Sequence, residues 1–143
     1  MRRQLPGLSR AASLEELPAG QYLVEVFRCQ YRWHKQKPFY SLFFRVLGPP
    51  SNAGAQIQGR LYCTIKALWK LSWFLKDFGY AVDLLDRDEI DEKELIGLRG
   101  IVRISYTSFL TGQRFLNLEG FAPEVCWEQV RDSKERLSIE DVA

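Results

Sequence analysis

Lys66-Ala-Leu-Trp-Lys-Leu-Ser-Trp-Phe-Leu-Lys-Asp-Phe-Gly79 is the stretch around which the chain is organised. It has no Pro and no internal Gly, and a Gly stands where a helix stop belongs. At about 100° per residue, Ala67, Leu68, Leu71, Phe74, Leu75 and Phe78 fall within an arc of about 120°. The spacing predicts a helix with one core-facing stripe. Trp69 and Trp73 lie off that stripe, four apart among Lys66, Lys70 and Lys76. Two tryptophans on a basic face require cover or a partner. Cover would come from the N-terminal arm or from the chain near Val125 to Trp127.

Upstream of this helix, residues 55–64 read as a strand with Ile57, Leu61 and Cys63 inward and Gln58, Arg60 and Tyr62 outward. Gly48-Pro-Pro-Ser-Asn-Ala-Gly54 is a loop by its turn residues. Residues 39–47 form a second strand, with Tyr40, Leu42, Phe44 and Val46 on an uncharged face. Phe39, Ser41, Phe43 and Arg45 make its other face. In residues 21–34, Tyr22, Val24 and Val26 alternate with Glu25, and the pattern blurs beyond Phe27. That predicts a long strand with an irregularity near Arg28 or Cys29.

Downstream, residues 86–94 are acidic. Asp91 stands where a calcium loop needs Gly, so the segment reads instead as a solvated stretch. Its Asp91-x-x-Glu94 pattern caps a short helix ending at Gly97. Residues 101–109 and 114–121 form two more strands around a loop at 110–113. Three strands, one helix and two strands is the order of the five-stranded Greek-key barrel called the OB-fold. The expected class is therefore all-β with one helix. Residues 20–123 would be the domain. Residues 1–19 would be an N-terminal arm with a helical turn at Ser13 to Glu16. Residues 124–143 would be a C-terminal segment, partly helical or loose.

The net charge of +2 hides an asymmetry. From Tyr22 to Lys76 there are nine basic residues and one acid, Glu25, a net of +8; from Asp77 onward the net is −7. A basic half suits a polyanion. Cys29, Cys63 and Cys126 are odd in number and fit no zinc spacing, so no metal is expected. The composition points to a reduced, cytoplasmic setting, with no signal peptide and no membrane span. His34 is the lone histidine, and no Gly-rich phosphate loop is present. The reading is thus of a non-enzyme with no cofactor.

An OB-fold carries its groove on the second and third strands, flanked by the loops joining strands one to two and four to five. Those positions hold Arg28, Arg32, Trp33, Lys35, Lys37, Phe43, Arg45, Arg60 and Tyr62, with Phe109 and Arg114 on the far loop. Cations interleaved with rings are what a single-stranded nucleic-acid site uses. The arginines and lysines would meet phosphates, and Trp33, Phe43 and Tyr62 would stack bases. The expected ligand is single-stranded DNA, with RNA not excluded. The alternative is a protein-interaction module that docks a replication or recombination protein through Trp69 and Trp73 or through the tail. Self-association is compatible with either.

A resemblance adds to this. Leu17-Pro-Ala-Gly-Gln-Tyr, Phe44-Arg-Val-Leu-Gly-Pro, Ala67-Leu-Trp-Lys-Leu and Leu95-Ile-Gly-Leu-Arg-Gly-Ile-Val are similar to stretches of a family of short phage and prophage proteins. The resemblance covers residues 17–121. It implies an OB-fold protein that binds single-stranded DNA in phage-type replication or recombination.

Overall fold

A computed structural model describes residues 1–6 and 17–131 of the chain. The expected helical turn at residues 13–16 and the end of the C-terminal segment lie outside the described residues. Five strands appear: β1 (Gly20–His34), β2 (Lys37–Gly48), β3 (Gln56–Tyr62), β4 (Arg99–Ser108) and β5 (Arg114–Pro123). They form one antiparallel sheet in the order β3-β2-β1-β4-β5. Three helices, not one, join β3 to β4: α1 (Leu68–Asp77), α2 (Val82–Asp86) and α3 (Glu92–Leu95). Short 3-10 turns lie at Pro50–Asn52 and Glu124–Cys126, and residues 127–131 are helical.

The sheet is not a closed barrel. β3 and β5 are its two edges, and no ladder joins them among the described residues. The reason lies in how they meet. Leu118 of β5 fills the space over Gly59 of β3, so closely that a Cβ at Gly59 would lie 2.5 Å from its Cδ1. The two strands pack through a side chain rather than edge to edge.

α1 forms where the apolar spacing places it, and its stop is chemical. Gly79 adopts φ +76°, its N–H reaches the Lys76 carbonyl, and the Tyr80 N–H reaches Leu75 at 2.9 Å. That paired closure is a Schellman motif, and glycine takes the left-handed position without a Cβ clash. Leu71, Phe74, Leu75 and Phe78 are buried, as the stripe requires. Phe74 sits among Phe44, Phe78 and Phe121 at 4.6–6.1 Å between ring centres. Leu68 instead stays exposed in the first turn. Asp91 caps α3 by accepting from the Lys93 N–H at 3.0 Å.

Two irregularities shape the long strands. Between Val26 and Arg28 the β1–β2 register slips, leaving Phe27 as an extra residue, close to where the blurred alternation predicts it. Between Leu23 and Val24 a second slip leaves Leu47 extra on β2. β1 pairs with β4 over Gly20 to Glu25 and beyond that with β2 alone. The last third of β1 therefore continues with β2 and β3 as a three-stranded arm, two-stranded only at its tip, where Trp33 and His34 face Pro38 and Lys37. Tyr22 and Tyr106 donate from their hydroxyls to the Pro18 and Leu17 carbonyls, both at 2.6 Å, and fasten the chain ahead of β1. Trp127 lies on Gly48, which pairs with Leu23, so the C-terminal segment covers one end of the outward face. No described helix is long and apolar enough to cross a membrane.

Candidate nucleic-acid interface

The extra residue at Phe27 decides what the outward face contains. Before it, the even positions Val24 and Val26 point into the core. After it, parity reverses: Cys29 pairs with Leu42 and Tyr31 with Tyr40, on the core side. Arg28, Gln30 and Arg32 are turned outward, because a one-residue slip moves a strand's side chains to the opposite face.

Three rows follow from the register. Across β1, β2 and β3 they read Arg32, Phe39, Tyr62; Gln30, Ser41, Arg60; and Arg28, Phe43, Gln58. Arg45 stands one pair further on, opposite Gln56. The guanidinium of Arg60 lies 4.5 Å from the centre of the Phe39 ring, that of Arg28 5.1 Å from Phe43, and that of Arg45 5.2 Å from Phe27. Phe27 and Phe43 are 6.2 Å apart and Phe39 and Tyr62 5.4 Å apart. Gln30 accepts from Arg32 Nε and Nη2 at 3.0 and 2.6 Å and holds that side chain along the strand. Gln58 donates to the buried Ser41 hydroxyl at 3.2 Å. The result is exposed cations lying over half-buried rings, with Phe39, 3% exposed, as the floor. Glu25, the acid of this half, stands opposite Arg45 across β1 and β2 and is engaged by Arg99 at 3.7 Å.

Six of the expected residues, Arg28, Arg32, Phe43, Arg45, Arg60 and Tyr62, thus share one face. Sequence spacing missed Phe27, Phe39 and Gln30. Phe27 is hidden by the bulge itself. Phe39 carries a signal, being on the same parity as Phe43 and Arg45.

The other expected residues lie elsewhere. Trp33 does not join this face: the reversed parity places it with Tyr31 and Tyr40 on the opposite side of the arm, at 64% exposure. Lys35 and Lys37 stand at the arm's tip, where Lys35 and Gln36 form a two-residue turn with φ +48° and +65°. Phe109 and Arg114 belong to the β4–β5 hairpin. Ile104 pairs with Gly20, so that hairpin runs out past the start of β1, at the far end of β1 from Lys35. There Arg114 covers the Tyr106 ring at 4.5 Å and Phe109 meets Phe115 edge-on.

Trp69 and Trp73 stack on each other at 6.2 Å. Trp73 is covered by β5. It packs edge-on against Phe121, lies over Gly120 and donates its indole N–H to Asp77 at 2.8 Å. Trp69 remains 63% exposed, beside exposed Ile65 and Leu68. Burial lowers the pKa of the adjacent Lys70 amine, opposed by the charge of Glu119.

On the core side of the arm, burial pushes the Cys29 thiol up to about 12, with Glu92 and Cys63 adding to the effect. Burial likewise raises the Tyr40 hydroxyl to about 12, with smaller contributions from Cys63, Glu92, Cys29 and Tyr31. These are protonated packing groups at neutral pH. Among the described residues, no group of three or more His, Cys, Asp or Glu is gathered as metal ligands would be. Compared with protein-family models and with curated proteins, the chain matches none of them.

Proposed function

We propose that this protein binds single-stranded nucleic acid, DNA in the first instance, without sequence preference, on the outward face of β1, β2 and β3. The observation that carries the reading is the run of rows in which Arg28, Arg32, Arg45 and Arg60 interleave with Phe27, Phe39, Phe43 and Tyr62. Guanidinium groups supply phosphate contacts, and their flat faces together with Tyr62 and Phe43 supply stacking surface for unpaired bases. A duplex hides its bases' flat faces and gains only the charge contribution. An OB-fold with incomplete edge pairing is the architecture we assign. The proposed role is a helper in phage-type replication or recombination, with no reaction of its own.

Fluorescence anisotropy of a labelled oligo-dT of about 15 nucleotides, at about 50 and 200 mM salt, tests this. Expected are salt-sensitive binding and a weaker response to a duplex of equal length. Absence of binding at the lower salt refutes the reading.

The exposure of Trp69 with Ile65 and Leu68 favours a second reading, in which this patch docks a replication or recombination protein. Trp69→Ala would then abolish that complex and leave oligonucleotide binding unchanged.

A further inference from the structure

At the tip of the arm, a pocket of about 400 Å³ opens between the β1–β2 turn and the chain leaving β3. His34, Lys35 and Lys37 line one side of it, and Tyr62, Thr64 and Ala67 the other. We infer that this pocket takes the terminal phosphate of a bound strand, so that the protein prefers phosphorylated ends. The inference rests on the proposed nucleic-acid reading and extends it.

Four observations carry it. First, the lining has two lysines and a histidine and no acid, so the pocket is built for negative charge. Second, Tyr62 belongs to both places: it stands beside Phe39 on the outward face, in the row that ends at Arg32, and also lines the pocket. A strand lying on the arginine rows therefore reaches the pocket without a gap. Third, the pocket is a recess with the turn on one side and Thr64 and Ala67 on the other, deep enough to take a compact charged group. A terminal monoester carries about −1.5 to −2 charge and three acceptor oxygens, against one charge for an internal diester, which suits a cluster of this many donors. Fourth, the turn that presents Lys35 is strained. Lys35 and Gln36 both hold left-handed backbone, where such turns ordinarily use Asn and Gly. Strain kept at a loop tip is found where the side chains placed there have work to do.

The test compares oligo-dT of one length, carrying an internal fluorophore, in three forms: hydroxyl-ended, 5′-phosphorylated and 3′-phosphorylated. One phosphorylated form is expected to bind about five- to tenfold tighter than the hydroxyl form. Which one does so gives the direction of the strand. In Lys35→Ala/Lys37→Ala, with its fold checked by circular dichroism, that ratio should fall to about one. Equal affinities of the wild-type protein for all three forms overturn the inference and leave the nucleic-acid reading standing. Failure to bind any form overturns the nucleic-acid reading itself. A ratio that survives the double substitution puts the phosphate elsewhere and also overturns the assignment.

Discussion

Phe27 shows how much one residue sets. It adds nothing to the core, yet its insertion turns Arg28 and Arg32 outward and Trp33 away from them. Read by parity alone, the sequence groups Trp33 with Phe43 and Tyr62; after the slip it stands with Tyr31. Tyr62→Ala should therefore weaken oligonucleotide binding by about 1–3 kcal/mol, and Trp33→Ala by much less. Anisotropy titrations of the two variants check this, and a larger loss for Trp33→Ala would reverse the assignment of faces. The turn at Lys35 and Gln36 offers a stability test. A non-glycine residue in left-handed backbone costs about 1–2 kcal/mol. Gln36→Gly should accordingly raise the urea midpoint by an amount on the order of 1 kcal/mol in stability. Nothing in residues 34–38 announces that strain, because Lys-Gln is not a turn signal.

At the scale of elements, α1 was legible because its evidence is local. Apolar spacing and a terminal glycine specify a helix wherever it packs. Of its neighbours, α3 was announced by its Asp91 cap, whereas α2 is short and weakly patterned; the segment between them is closed by the Tyr80 hydroxyl, which donates to the Glu89 carbonyl and accepts the Asp91 N–H, both at 2.9 Å. That β3 and β5 meet through Leu118 over Gly59 and not through a ladder, as a closed barrel would need, was not legible, since the two strands are far apart in the chain. Gly59→Ala forces a methyl group into the buried Leu118 side chain and should cost about 1–3 kcal/mol, measurable as a lower denaturation midpoint. The β1–β2 arm carries a pH prediction. Cys29 and Tyr40 hold their protons more tightly folded than unfolded, with values near 12 against 9 and 10. The folded state thus keeps protons that the unfolded chain gives up. Their stabilising contribution is full below pH 9 and is lost as the pH climbs toward 12. Urea midpoints should fall through that window. Iodoacetamide should spare Cys29 in the native protein at pH 8, where a thiol of pKa about 12 is about one part in ten thousand thiolate.

For the whole molecule, charge is the governing quantity. The basic half of the chain supplies β1, β2, β3 and α1, and folding sets four of its arginines on one face, with Glu25 opposite Arg45 and paired with Arg99. If those four guanidiniums and Lys35 and Lys37 each neutralise a phosphate, log K should fall against log salt with a slope of about −4, at about 0.7 per contact on single strands. Replacing Arg28 and Arg60 together should flatten it by about 1.4, and an unchanged slope would detach this face from binding. The sequence by itself determined the strands, the one long helix, the core stripes and the basic half, because each is written in neighbouring residues through periodicity, turn chemistry or charge. Tertiary structure alone decided the open edge between β3 and β5, the turning of Arg28 and Arg32 onto the face of Phe43 and Arg60, and the pocket at Lys35. Each depends on register and on contacts between distant strands, and a one-residue slip that leaves local propensity untouched reverses which side chains meet.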